Sequence, residues 1–172
     1  MAILTNYFSV KSAIDFASQT DIWLEFAKNT AWTDEEHPDA ENPATSNLDS
    51  SQLFVKSNAL VLVYPASTTD NDDNVIIYKG MRWKPSSPTD AFTNNASYVL
   101  ISYKIDAGTT DDFTWRQTGI REGVSPVDAS NTKTILKPSE VSDKGKLLGF
   151  DNHKVQNYTN DVVTELEYLM KF

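Results

Sequence analysis

Hydrophobic residues fall mostly in short alternating runs separated by polar stretches, a pattern that predicts many strands and little helix. Residues 9–19 are the exception: Val10, Ala13, Ile14 and Ala17 recur at helical spacing, with Ser9 placed to cap the first turn. After Thr20 the period drops to two. Ile22, Leu24 and Phe26 alternate with Trp23, Glu25 and Ala27, predicting a first strand with one fully apolar face. Ala59 to Tyr64 is apolar on both sides and rich in branched side chains, as in a strand covered on each face, and Pro65 stops it. The polar cluster Ser67 to Asn74 turns the chain, and Val75 to Trp83 reads as the returning strand of a hairpin until Pro85 and Pro88 break it. Val99, Ile101, Tyr103 and Ile105 share one face of the next strand. Phe113 to Arg121 follows across a turn containing Gly108, predicting a second hairpin. Lys146 to Phe150 and Lys154 to Tyr158 read as a third, turning at Asp151 and Asn152. From Asp161 onward both periods fit: Val162, Leu166, Leu169 and Met170 suit a helix, while Val162, Leu166, Tyr168, Met170 and Phe172 alternate as a strand.

Two segments carry no period. Residues 29–50 hold Asp34, Glu35, Glu36, Asp39, Glu41 and Asp49 with no Lys or Arg, together with Pro38 and Pro43, and read as a long acidic loop and candidate contact arm. Residues 122–144 are irregular around Pro126 and Pro138. The expected architecture is one mainly β domain over 1–172, an antiparallel β-sandwich-like fold with one short N-terminal helix and long loops.

Composition narrows the function. The chain has 172 residues, 40% hydrophobic and 23% charged, which suits one folded domain with a real core. A net charge of -9 opposes nucleic-acid binding, which needs clustered Lys and Arg. The acidic balance and the lack of a long apolar run also oppose membrane association. The start Met1-Ala2-Ile3-Leu4-Thr5-Asn6 has no basic, apolar leader, so synthesis in a cytoplasm is expected. With no cysteine, disulfides, thiol catalysis and cysteine-containing metal sites are excluded.

No motif for catalysis stands out. His37 among Glu35, Glu36 and Asp39 has the residue types of a metal site, but neighbouring loop carboxylates ordinarily stay solvated. Asp70, Asp72 and Asn74 match the start of a calcium loop, which then fails because Val75 stands where Gly is needed and Met81 where Glu is needed. Asp111 and Asp112 form an adjacent acid pair of the kind 24 acidic residues produce by chance. No catalytic residue, metal or cofactor is expected. Aromatic residues are the richer feature. Trp32 enters the acidic loop, where its indole anchors the loop or fills a partner's pocket, and Trp83 sits between Arg82 and Lys84 at a strand end. Arg116, flanked by Trp115 and Gln117, is either a solvated cation on a sheet face or half of a structural ion pair.

Three segments in fixed order carry a resemblance: Ile22-Trp23-Leu24-Glu25-Phe26-Ala27-Lys28-Asn29-Thr30-Ala31-Trp32, Phe113-Thr114-Trp115-Arg116-Gln117-Thr118-Gly119-Ile120, and Leu147-Leu148-Gly149-Phe150-Asp151-Asn152 leading to the terminal Glu167-Tyr168-Leu169-Met170-Lys171-Phe172. Together they resemble the baseplate wedge proteins of contractile-tail bacteriophages, in particular the family of the T-even wedge component that forms dimers. The chain is similar in a shortened form, without the large inserted lobe, which leaves the part that docks onto other wedge proteins. The resemblance implies a final strand rather than a helix. It also implies a structural role in the virion's tail baseplate, other baseplate wedge proteins as partners, and a homodimer within a sixfold assembly. The candidate protein-contact residues are Trp32, Glu35, Glu36, Pro38, Arg82 and Trp83. The alternative is a carbohydrate- or receptor-binding β-sandwich that uses Trp32 or Trp83 as an exposed platform.

Overall fold

The computed structural model describes residues 5–68 and 73–172, so Asp70 and Asp72 of the calcium-like pattern lie outside the described residues. The fold is mainly β and every described strand pair is antiparallel, with a short helix near the start. The chain forms two compact units: Met1–Gln19, Asn58–Ser102 and Glu167–Phe172 make the first, and Thr20–Ser57 with Tyr103–Leu166 the second.

In the first unit, helix α1 spans Asn6–Ala17 and buries Val10 and Ala13. It begins a turn earlier than the apolar stripe predicts, with Thr5 rather than Ser9 at the N-cap. The reason is that its first turn exposes Tyr7 and Phe8 and so adds nothing to the stripe. Strands β3 (Ala59–Pro65), β4 (Ile76–Tyr78) and β5 (Met81–Pro85) lie wholly here. Val75 to Trp83 is therefore two strands and not one. Lys79 and Gly80 both take positive φ, 47° and 77°, and fold β4 back onto β5, with Ile76 opposite Trp83 and Tyr78 opposite Met81. The expected pairing of β3 with the returning chain holds through β5, Val63 facing Pro85. Strand β6 (Tyr98–Ile105) pairs with β3, placing Leu62 opposite Val99, and β12 (Thr164–Lys171) completes the order β12-β6-β3-β5-β4. The chain end is a strand, as the resemblance implies. Val63, Trp83 and Leu100 form a buried cluster joined by Val61, Ile76, Tyr98 and Leu169.

The second unit is built on β1 (Ile22–Ala27), β2 (Leu53–Lys56), β7 (Phe113–Glu122), β9 (Ile135–Leu136) and β11 (Lys146–Tyr158), in the order β11-β7-β1-β2-β9. All six residues of β1 are buried, so both of its faces are covered and not only the Ile22, Leu24 and Phe26 face. On one side Phe26 meets Phe113 and Trp115 edge-on, ring centroids 5.4 and 5.0 Å apart. On the other, Trp23 packs with Phe54, Val124 and Leu136. Strand β2 is four residues long and follows the aperiodic loop, which hid it from the pattern. Two expected hairpins are corrected. Strand β6 does not turn back onto β7: it pairs with β3, while β7 lies between β1 and β11. The connection between them, Asp106 to Asp112, is longer than a tight turn and does not dictate pairing. Residues 146–158 are one strand along β7 with a register break between Asn152 and Gln156, not a hairpin. Within 122–144 lie, besides β9, two more very short strands, β8 (Ser125–Pro126) and β10 (Val141–Asp143), which pair with each other.

Candidate functional site

The acidic stretch after β1 has no regular structure, in line with its lack of period, yet it is fastened along β7 and β11. Lys28 donates its amide to the Asp49 carbonyl at 2.7 Å and closes the base of the loop. Near its far end Leu48 is buried over Gly119 of β7. A Cβ on that glycine would stand 2.8 Å from the Leu48 Cδ1 and 2.7 Å from the Leu147 Cδ1, so the missing side chain makes the seat. Between these anchors, residues 29–41 form a strap.

Alternation on β7 buries Trp115 and turns Arg116 to the opposite face, toward the strap. The Arg116 guanidinium donates from Nε to both Glu35 oxygens at 2.8 and 3.1 Å and from Nη1 to the Asn29 carbonyl at 2.9 Å, with its side chain only 11% exposed. A two-oxygen guanidinium contact of this kind fixes orientation as well as charge. Of the two readings of Arg116, the structural ion pair is the one realised. Trp32 is buried; its indole N–H donates to the His153 carbonyl at 2.8 Å, its backbone N–H to Glu35 Oε1 at 3.2 Å, and the Lys28 Nζ lies 4.4 Å from its ring centre. Further along, Glu36 pairs with Lys154. Glu41 accepts the Asn152 backbone N–H at 3.2 Å, and the Asn152 side-chain amide donates to the Asp39 carbonyl at 2.7 Å. The hydrogen bond from Lys154 holds the Glu36 carboxyl below its ordinary range. Hydrogen bonds from His37 and from the Glu36 amide do the same for Asp34.

Within the same sheet lies a feature the periodicity conceals. Glu25 and Arg121 are both fully buried and paired, Nε to Oε2 at 2.6 Å. Ser51 donates to Glu25 at 2.5 Å, the Lys144 Nζ stands 3.4 Å away, and Arg121 Nη1 donates to the Gly145 carbonyl at 3.3 Å. The alternating pattern places Glu25 only on the face opposite Ile22, Leu24 and Phe26. The available clue was a lone acid in one apolar run and a lone base in another.

Of the candidate contact residues, Trp32, Glu35, Glu36 and Pro38 lie together on the strap of the second unit, while Arg82 and Trp83 lie on β5 of the first. Glu36 is exposed and Pro38 half-buried. Trp83 is 3% exposed inside its core cluster, stacked at a tilt on Tyr98, and Trp32 is 8% exposed. Neither indole offers an open platform, which removes the basis of the sugar-binding alternative. His37 is bound to Asp34 at 2.9 Å, and among the described residues no three His, Asp or Glu side chains converge to hold a metal ion. Asp111 is paired with Lys137 at 2.8 Å, and Asp112 accepts the Asn160 amide at 2.8 Å. No helix among the described residues is long and apolar enough to cross a membrane.

The fold and the strap thus define a mainly β protein whose polar clusters are spent on one another. The whole chain, residues 1–172, matches the family described as baseplate wedge 3 tail fiber network component, and the protein belongs to that family. It is also 28% identical over 172 residues to "Virion protein 3" of Enterococcus phage phiEF24C, covering 99% of this chain and 94% of that one. It is therefore a structural component of a phage tail baseplate, located in the virion.

Proposed function

We propose that the protein is a wedge scaffold that connects neighbouring baseplate proteins, works as a homodimer within a sixfold assembly, and has no catalytic activity. The observation that carries this reading is the way the strap's polar groups are used. Arg116 with Glu35, Lys154 with Glu36 and Asn152 with Glu41 bond pairwise along a sheet instead of converging on an open cavity, which suits a shaped contact surface better than a reaction site. The contacts are assigned to two patches, one on each unit. On the strap, Glu36 and Pro38 face outward while Trp32 and Glu35 hold the surface in shape. On β5, Arg82 makes the contact while Trp83 fixes the strand from inside.

Cross-linking mass spectrometry on intact virions tests the scaffold. Lys154 beside the strap and Lys84 beside Arg82 are expected to link to other baseplate proteins. A chain present in tails but linked to nothing except itself would overturn the reading. Light scattering of the isolated protein tests the dimer, and a monomer at all concentrations would sink that part.

A further inference from the structure

Strand β11 is an edge of its sheet, and its ladder with β7 breaks between Asn152 and Gln156. Edge strands offer backbone donors and acceptors to any extended chain that reaches them. Here the strap takes two such groups with side chains: the Asn152 amide bonds Glu41 and the His153 carbonyl accepts the Trp32 indole. Two cations flank these groups, Arg116 held by Glu35 and Lys154 held by Glu36.

We propose that this edge is a docking site for an acidic segment of another baseplate protein that carries an aromatic side chain, and that residues 29–41 are its resident occupant, displaced on assembly. The inference rests on the scaffold reading above. The occupant's chemistry follows from what the site already holds: carboxylates for Arg116 and Lys154 and an aromatic donor for the His153 carbonyl, carried on a bent backbone. Tethered at both ends, the strap competes at an effective concentration of about a millimolar and keeps weak ligands out of the free chain. Its ion pair at Lys154 is solvent-exposed, whereas Arg116 is only 11% exposed and Trp32 is buried, so a segment presented by a bound neighbour exchanges first at Lys154 and then refills the Arg116 and Trp32 seats with a carboxylate and an aromatic group of its own.

The test uses the full chain and a Glu35→Gln/Glu36→Gln variant, with a labelled synthetic peptide of the sequence of residues 29–43 as probe. Hydrogen exchange at Asn152 to Gln156 should rise in the variant, and the peptide should bind it roughly tenfold or more tightly than it binds the unaltered chain, because a larger fraction of the site is open. Adding Lys154→Gln should abolish that binding. Faster exchange without peptide binding overturns the docking site, and unchanged exchange overturns the latch. Should the double variant not fold, Trp32→Phe removes the indole donor alone and is read the same way. A negative result with virion cross-links intact overturns this proposal and leaves the scaffold reading in place.

Discussion

A charge buried without its partner is among the most costly things a β core can contain, and Glu25 with Arg121 shows how this chain avoids it. Each is fully buried, but the pair is joined at 2.6 Å and Ser51, Lys144 and the Gly145 carbonyl supply further polar contacts. Truncating Glu25 to Ala leaves the guanidinium unpaired and is expected to cost about 3–5 kcal/mol, read from urea unfolding. Replacing both, as Glu25→Leu with Arg121→Met, removes the desolvated charges together and should be close to neutral or stabilising by about 1–4 kcal/mol. A double variant as unstable as the single one would show that the pair contributes packing rather than mutual neutralisation. Gly145 is tied to the same network. Its φ is +66°, and a Cβ there would lie 2.1 Å from the Glu122 carbonyl oxygen, so Gly145→Ala must move backbone and should cost about 1–3 kcal/mol or more in the same assay.

The strap is the element most sensitive to solution conditions, because carboxylates hold it. Lys154 lowers the Glu36 carboxyl, and His37 with the Glu36 amide lowers Asp34. A carboxyl depressed in the folded state stabilises it above the unfolded value and loses that stabilisation as pH falls through the lower, folded one. Closure should therefore be complete near neutrality and weaken as pH drops below about 4, the ordinary carboxylate range. The Trp32 indole N–H resonance, which reports the bond to the His153 carbonyl, is expected to shift through that window. In Lys154→Gln the shift should begin at higher pH, and raising salt from about 0.01 M to about 0.5 M should act in the same direction through screening. A resonance that stays fixed until global unfolding would mean that the apolar seats of Trp32 and Leu48 suffice. The sequence shows why this element was only half legible. Its lack of period correctly gave a loop, and Arg116 was correctly considered for an ion pair, but nothing local says that Glu35, 81 positions away, is the partner. Strand interiors are legible locally, β6 from alternation and β3 from a run apolar on both faces, and so is the pairing of β3 with the nearby β5. The partners of β6 and β7 are not, because pairing over long separations is chosen by burial of both faces, as in β1, rather than by the strand's own pattern.

At the scale of the whole molecule the question is which surfaces the apolar residues leave outside the two cores. In the first unit Tyr7 and Phe8 are 65% and 52% exposed on α1, and Tyr7 stacks on Phe92 of the short helix α2 (Ala91–Asn94) with ring centres 4.8 Å apart. Aromatic residues exposed together on a unit with a filled core have the composition of an interface centre. This patch escaped the sequence reading because it sits in the first turn of α1, outside the periodic stripe that located the helix. Phe8 is the better probe of the two, since changing Tyr7 would also disturb the stack with Phe92. Phe8→Ser removes exposed apolar area and touches no core cluster, so stability should stay within about 0.5 kcal/mol of the parent. Incorporation into tails, measured as the amount of this chain in purified particles from a phage carrying only the variant, should fall sharply. Normal incorporation with an unchanged melting curve would assign the patch no part in assembly and leave the strap and β5 as the contact surfaces. Loss of both stability and incorporation would place Phe8 in the folded core's support rather than at an interface.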